Sequence, residues 1–402
     1  MPPEKPQENA GELTLLATLE FNERNTGQSI SGAAEQPHAS TVSPQPTMIT
    51  HQEPQTRKPS VRDGRAPRIG VVIPSYRVTR HILEVLARIG PEVTDIFVVD
   101  DACPDCSGDL VERSCTDPRV KVLRNATNQG VGGAVLAGYR AAVDAGCQCI
   151  VKIDGDGQMD PALLPRFVGP ILDGYADYAK GNRFYHIEDV IAMPRVRLFG
   201  NAVLSFITKL SSGYWNIFDP TNGYTAISAE LARVLPFDKI DKRYFFESDM
   251  LFRVGLLRGM VVDIPMRAVY ADEVSHLKIS RILVRFLGGH LRSFTKRILY
   301  QYFLRDFSVA SLELVLGLAM TTFSLVFGIT EWLRNAERGE VASSGTVMLA
   351  ALPAILGLQF LIAFLGYDTR SVPQQPISPR LARTPLFEGR RERPRLPPGM
   401  KR

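Results

Sequence analysis

The chain has 402 residues, of which 45% are hydrophobic and 22% charged, enough for two or three structural units with a sizeable core. Its formal net charge of +5 is accounted for by residues 380–402, where eight Arg and Lys face only Glu388 and Glu392. A basic tail behind hydrophobic segments suits anionic lipid headgroups, and nothing else in the chain reads as a nucleic-acid-binding surface.

Residues 1–66 are rich in Pro, Gln, Ser, Thr and Glu. Apart from residues 13–21, which suit a short helix making a local contact, they carry no apolar periodicity, and a disordered extension is expected. No basic stretch followed by an apolar run occurs there, so no signal peptide is expected. From Arg68 the pattern changes. Residues 69–73 read as a strand ended by Pro74-Ser75-Tyr76, and residues 79–89 carry helical apolar spacing with Thr79 as N-cap. Residues 95–101 form a second strand that ends in two carboxylates, and residues 120–123 a third. Asn128 opens a helix over 130–145 whose Gly133, Ala134, Ala137, Gly138 and Ala141 make a small-residue face for close packing on a sheet. Gly130-Val-Gly132-Gly133 does not make a dinucleotide-binding fingerprint. Val135 stands where the third glycine belongs, and the first glycine comes too late after its strand.

Cys149-Ile-Val-Lys-Ile153 is a fourth apolar run. It stops at Asp154-Gly155-Asp156-Gly157, and Pro161 stands where a helix begins, ahead of Leu163 and Leu164. Two carboxylates one residue apart at the C-terminal end of a parallel strand place hard oxygen ligands at the mouth of a sheet. That geometry suits a divalent cation bridging two phosphates; an Asp/Gly turn that simply closes the strand is the plainer alternative. Strand, helix, strand, strand, helix, strand within about ninety residues argues for a mostly parallel α/β sheet. Pro74/Tyr76, Asp100/Asp101 and Asp154/Asp156 all fall at strand C-termini, the edge at which open α/β sheets bind ligands.

Val-Val-Ile-Pro-Ser-Tyr, Val-Val-Asp-Asp-Ala-Cys-Pro-Asp, Asn-Gln-Gly-Val-Gly-Gly-Ala and Asp-Gly-Asp-Gly-Gln, in this order and spacing, resemble the family 2 glycosyltransferases. The likeness is greatest to the polyprenyl- and dolichyl-phosphate sugar synthases and covers roughly residues 68–285. Ala102-Cys103 departs from the family's usual Gly-Ser or Asn-Ser. The resemblance implies a GT-A type, Rossmann-like catalytic domain in which Pro74, Tyr76, Val99 and Asp101 hold the nucleoside. It further implies that Asp154 and Asp156 hold Mg²⁺ or Mn²⁺ and the donor diphosphate, with Gln158 near the phosphates. Lys180-Gly-Asn-Arg183 matches the family's Gly-Ser-Arg position, where an arginine can pair with phosphate. Asp219-Pro-Thr-Asn-Gly223-Tyr resembles the segment that lines the acceptor side. In relatives that transfer to a hydroxyl, an acid at the position of Glu247 or Asp249 is the general base. With a lipid phosphate as acceptor no strong base is needed, and these acids would position donor or acceptor together with Asp156. Arg195 and Arg197 can meet an anionic lipid head or remain solvated. Asp272-Glu273 and Lys278 fall in the segment that closes over the donor, where Lys278 can contact phosphate or merely begin a helix.

Residues 281–306 mix apolar side chains with Arg285, Arg292, Lys296, Arg297 and Arg305, the pattern of a helix in the headgroup plane. Two hydrophobic spans follow, 309–331 and 346–367. The first is about 34 Å long as a helix, enough to cross a hydrocarbon core of about 30 Å. The flanks are more basic than the loop between the spans, which predicts both chain ends on the cytoplasmic side. Glu313, near the cytoplasmic end of the first span, can face a partner helix or sit at headgroup depth. Cys103-Pro-Asp-Cys106 has zinc-like spacing, but its second pair would be Cys147-x-Cys149 inside a strand, so no structural zinc is expected and the cysteines are expected to stay thiols.

The sequence thus predicts a disordered extension over 1–66, a GT-A domain over 67–280 and an interfacial segment over 281–306. A transmembrane hairpin over 307–368 and a basic disordered tail over 369–402 complete the chain. The expected activity is inverting transfer of a sugar from a nucleoside diphosphate sugar to polyprenyl phosphate or another lipid-linked acceptor at the bilayer, with a homo-oligomer possible. A transferase acting on a hydroxyl of a lipid-linked saccharide and a non-catalytic scaffold are the alternatives. A processive polysaccharide synthase is disfavoured by the absence of its Gln-x-x-Arg-Trp signature, since the only tryptophans are Trp215 and Trp332.

Overall fold

The computed structural model describes residues 66–191, 193, 195–267 and 279–382. The N-terminal extension, the segment with Asp272, Glu273 and Lys278, and the chain from 383 onward lie outside the described residues. In chain order the catalytic region comprises β1 (Ile69–Ser75), α1 (Ile82–Ala87), β2 (Asp95–Asp100), α2 (Ser107–Ser114), β3 (Val120–Arg124), α3 (Val131–Asp144) and β4 (Cys149–Lys152). It continues with α4 (Leu164–Leu172), β5 (Tyr178–Asn182), α5 (Ile187–Ile191), α6 (Arg195–Ser212), β6 (Thr225–Ser228), α7 (Ala229–Val234), α8 (Phe246–Leu256) and β7 (Val261–Pro265). The strands form one sheet in the order β3-β2-β1-β4-β6-β5-β7. Only β6 runs against its neighbours β4 and β5; the other pairings are parallel.

Alternation along each strand sorts side chains to the two faces of the sheet. Val71 and Ile73 pack with Ile82, Val85 and Phe167 under α1 and α4. Val72 and Val99 join Tyr139, Leu231 and Met250 under α3, α7 and α8. Each such side chain contributes about 1.5–3 kcal/mol when removed from water. The small-residue face of α3 acts as expected: a Cβ on Gly138 would come within 2.3 Å of Val72. Helix α1 is shorter than its apolar spacing suggests. Its N-cap position is His81, without a side-chain cap, and Thr79 lies in the preceding turn.

After the described residues resume, α9 (Ile279–Ile298) passes through a π-helical turn at Leu299–Arg305 into α10 (Val309–Arg338), and α11 (Ser344–Arg370) returns. Both α10 and α11 are long and apolar enough to cross a membrane. They pack on one another closely: a Cβ on Gly357 would stand 2.5 Å from Thr321 Oγ1, and one on Gly317 2.9 Å from Leu361. Helix α10 overruns the expected span to Arg338 and stops only where Gly339 turns left-handed at φ 66°. Segment 279–298 is amphipathic, but one of its faces is docked on the catalytic region, burying His290, Ser293 and Arg297. Arg297 forms a two-pronged pair with Asp368 at 2.6 and 3.0 Å, both residues 1% exposed. Trp215 Nε1 and the Tyr302 hydroxyl also donate to Asp368. The chain then comes back to the sheet. Val372 enters the core, and the Ile377 and Ser378 amides donate to the Asp177 carboxylate at 2.8 and 2.7 Å before α12 (Ser378–Leu381). Residues 371–382 are therefore a docked strap rather than part of a disordered tail; buried Asp177 supplies the acceptors its amides need.

Candidate active site

Strands β1, β2 and β4 end together beneath a cavity of about 470 Å³ walled by Pro74, Tyr76, Asp101, Asp154, Asp156 and Tyr244. Five of these six were expected from the sequence. Asp154 continues β4 two residues beyond Lys152, whose side chain is buried and folds back so that Nζ lies 2.9 Å from Asp154 Oδ1 and 3.1 Å from Oδ2. Glu247 Oε1 stands 3.6 Å from the same ammonium. Burial opposes the Lys152 charge, but the carboxylates of Asp154 and Glu247 outweigh it and push its pKa up. Lys180, also fully buried, donates to the Asn222 carbonyl; burial brings its pKa down to about 8, with Glu247 and Asp219 acting in the opposite sense. A cluster of two lysines and Glu247 therefore underlies the carboxylate pair.

Asp156 Oδ1 accepts the Gln158 amide at 3.0 Å across a turn in which Gly157 adopts φ 78°. Gln158 thus meets the site through its backbone. Asp101 accepts from Asn125 Nδ2 (2.7 Å) and from the amides of Gln129 (2.8 Å) and Gly130 (2.7 Å). It ties the end of β2 to the start of α3. Neighbouring Asp100 accepts the Cys103 and Gly108 amides, and Ala102 between them has φ 52°. Glycine and asparagine tolerate that left-handed backbone better than alanine, which accounts for the usual Gly or Asn at this point. Val99 places its side chain in the core rather than in the cavity.

Arg183, at the end of β5, grips Asp219 through Nε at 2.7 Å and Nη2 at 3.0 Å. Asp219 is completely buried, so the guanidinium anchors the 219–223 loop. That loop brings the Gly223 backbone against the carboxylate cluster. Glu247 and Asp249 lie two residues apart on α8 and so face different ways. Glu247 joins the lysines, whereas Asp249 accepts the Asp241 amide at 2.8 Å and Arg253 Nε at 2.9 Å. The structure does not bring Asp249 to Asp154 and Asp156. The backbone of Arg197 belongs to α6, but its side chain, like Lys278, lies outside what is described. Lys152, Lys180 and Tyr244 were not among the expected site residues, and Asp219 was expected only as part of a segment lining the acceptor side. A lysine within the apolar run Cys149–Lys152 was the available signal, because a buried ammonium requires a carboxylate partner.

Among the described residues no third Asp, Glu, His or Cys joins Asp154 and Asp156 in a metal-binding group. Two carboxylates at a cavity wall, leaving further positions to phosphate and water, fit Mg²⁺ or Mn²⁺, hard ions that proteins hold by one or two carboxylates plus substrate oxygens. Lys152 fixes the orientation of Asp154 from below.

Fold and site define an α/β enzyme that works at the C-terminal ends of its parallel strands. The glycosyl transferase family 2 profile matches residues 70–235, and the chain belongs to this family of glycosyltransferases. Undecaprenyl-phosphate mannosyltransferase of Micrococcus luteus is 34% identical over 53% of this chain and 88% of its own length. Polyprenol monophosphomannose synthase of Mycolicibacterium smegmatis is 30% identical over 54% and 80%. Among solved structures, glucosyl-3-phosphoglycerate synthase from Mycobacterium tuberculosis in complex with Mn²⁺, uridine diphosphate and glucosyl-3-phosphoglycerate has 19% identity and a TM-score of 0.42, over 58% of this chain and 79% of that one.

Proposed function

We propose that this glycosyltransferase moves a sugar, with inversion at the anomeric carbon, from a nucleoside diphosphate sugar to polyprenyl phosphate at the cytoplasmic leaflet, anchored there by α10 and α11. The observation that carries this reading is the strand-end pair Asp154/Asp156 facing a cavity in a chain whose C-terminal helices are long and apolar enough to span a bilayer. The names of the two bacterial relatives support a polyprenyl phosphate acceptor. Asp154 and Asp156 would hold Mg²⁺ or Mn²⁺, whose charge offsets that developing on the leaving diphosphate. Tyr76 walls the nucleoside side, Asp101 shapes the loop beside it, and Lys152 and Glu247 keep Asp154 oriented. An acceptor phosphate is already ionised and needs no general base. Asp249 is engaged by Arg253 and the Asp241 amide, and Glu247 by the Lys152 ammonium at 3.6 Å, so both acids of this pair are already held by cations, which favours the phosphate acceptor over a hydroxyl.

The test incubates membranes containing the protein with labelled nucleotide sugars and polyprenyl phosphate, followed by lipid extraction. Asp156→Ala is expected to abolish label in the lipid fraction while the protein stays in the membrane. Normal transfer by that variant overturns the carboxylate assignment, and release of the wild type by an alkaline wash overturns the anchor.

A further inference from the structure

Beside the catalytic cavity lies a second, larger concavity that this function does not use. It measures about 1050 Å³ and runs between the 238–245 segment and α9. Seven cationic side chains line it against three acidic ones. Two of the acids are ion-paired, Asp238 with Arg140 outside the groove and Asp249 with Arg253; Asp241 accepts the Arg243 amide and keeps its charge, so the lining stays net positive. Arg243, Arg285, Arg292 and Lys296 make no side-chain hydrogen bond or ion pair with a described residue. Three of them, with Gly289, recur at spacings of four, three and four residues on a single face of α9. Gly289 lets that face close on the floor: a Cβ there would stand 3.0 Å from the Phe245 ring, which meets Phe286 edge-on at 5.5 Å. Uncompensated like charges converging on a concave surface focus a field that attracts an anion.

The rim of the groove favours one source for that anion. Val284, Leu287 and Leu291 form an exposed apolar stripe directly beside the cations on α9, and exposed Leu299, Leu304 and Phe307 continue it toward α10. Cations bordering an apolar stripe on the approach to a long apolar helix match the layering of a lipid, with its charged head above its acyl chains. We propose that this groove is a binding site for the phosphodiester headgroup of an anionic lipid, separate from the acceptor site. The proposal rests on the membrane reading above. The groove shares Arg243 and Tyr244 with the catalytic cavity, and the Lys242 carbonyl between the two accepts the Gly133 amide at 3.1 Å. A bound headgroup therefore steadies the wall of the donor cavity.

The full chain is reconstituted in phosphatidylcholine nanodiscs containing phosphatidylglycerol with a photoreactive headgroup. Expected are cross-links in 239–244 and 285–296, falling roughly five-fold for each charge removed in Arg285→Gln, Arg292→Gln and Lys296→Gln. Arg292→Lys should retain the signal, and metal-dependent donor binding by the triple variant shows that it is folded. Equal labelling of wild type and triple variant overturns the proposal. Displacement of the lipid by inorganic phosphate also overturns it, in favour of a soluble anion. An alkaline wash of the wild type before labelling separates the cases. Protein that stays embedded but is not labelled sinks this inference alone, and labelled protein that transfers no sugar sinks the proposed reaction alone.

Discussion

Gly223→Ala tests the coupling between the 219–223 loop and the carboxylates. The added Cβ would lie 2.5 Å from Lys152 Nζ and 2.7 Å from Asp154 Oδ2, with the Met159 methyl at 3.1 Å. Reaching an ordinary contact of 3.4 Å means a retreat of 0.9 Å for the ammonium (3.4 minus 2.5) and 0.7 Å for the carboxylate (3.4 minus 2.7). Lys152 is 1% exposed and held in a closely packed interior, so much of the shift is expected to fall on Asp154 and on the loop carrying Gly223. A displacement near 1 Å in a positioning group lowers rate by about a hundred-fold, or about 2.7 kcal/mol of transition-state stabilisation. The assay is kcat/KM for sugar transfer to polyprenyl phosphate, alongside donor affinity at saturating Mg²⁺ or Mn²⁺ and a thermal unfolding scan. The expected result is a large loss of kcat/KM with weakened metal-dependent donor binding and a nearly unchanged unfolding temperature. A variant within about three-fold of wild type, where hundred-fold is expected, would refute the view that Lys152 and Gly223 fix Asp154.

Two further predictions concern the docking of α9 and α11. Asp368→Asn leaves the buried Arg297 guanidinium without a counter-charge and should destabilise the fold by about 3–5 kcal/mol, read as earlier unfolding and faster proteolysis near 371–382; Arg297→Met with Asp368→Leu should recover much of the loss. His290, whose Nδ1 lies 2.8 Å from Ser211 Oγ among Phe245 and Phe286, has its pKa lowered by burial from 6.5 to about 4. The unfolded chain therefore takes up this proton first, so stability is lost as pH falls from 6.5 towards 4, by about 3 kcal/mol over the window; His290→Gln should flatten that stretch of the unfolding-temperature profile.

The readable parts of the fold were those in which burial and chemistry coincide in a short stretch. Strands β1, β2, β3 and β4 are apolar runs that end in polar residues, and their parallel register follows from the helices between them. Strands β5 and β6 escaped because Tyr178-Ala-Lys-Gly-Asn182 carries a lysine and an asparagine in a segment that is buried throughout. The Lys180 ammonium and the Asn182 amide group donate to long-range partners, the Asn222 carbonyl and Asp263, which spacing does not reveal. The same holds in the site. Asp154 and Asp156 are legible because they stand one residue apart in a turn at a strand end, whereas Glu247 and Asp249, at the same spacing, lie on a helix that sends them to different partners. The strap over 371–382 was hidden by its Pro-, Gln- and Ser-rich composition, since it docks through the backbone amides of Ile377 and Ser378 onto Asp177.

The C-terminal hairpin is fastened at both ends, and this constrains how the site is reached. One end is continuous with α9 through the π-helical turn, and the other returns to β6 and α7 through the strap, where Ser378 meets Ser228. Asp368 joins the two, because it receives Arg297 and Tyr302 from the approach to α10 and Trp215 from the catalytic region. Separating the hairpin from the sheet would expose a two-pronged ion pair whose members are each 1% accessible, and breaking such a pair is strongly unfavourable. On the proposed reading, the bilayer then stands at a fixed height relative to Asp154 and Asp156. A lipid phosphate of given length meets the donor at one depth, and any opening needed to admit a nucleotide sugar has to come from segments outside this junction.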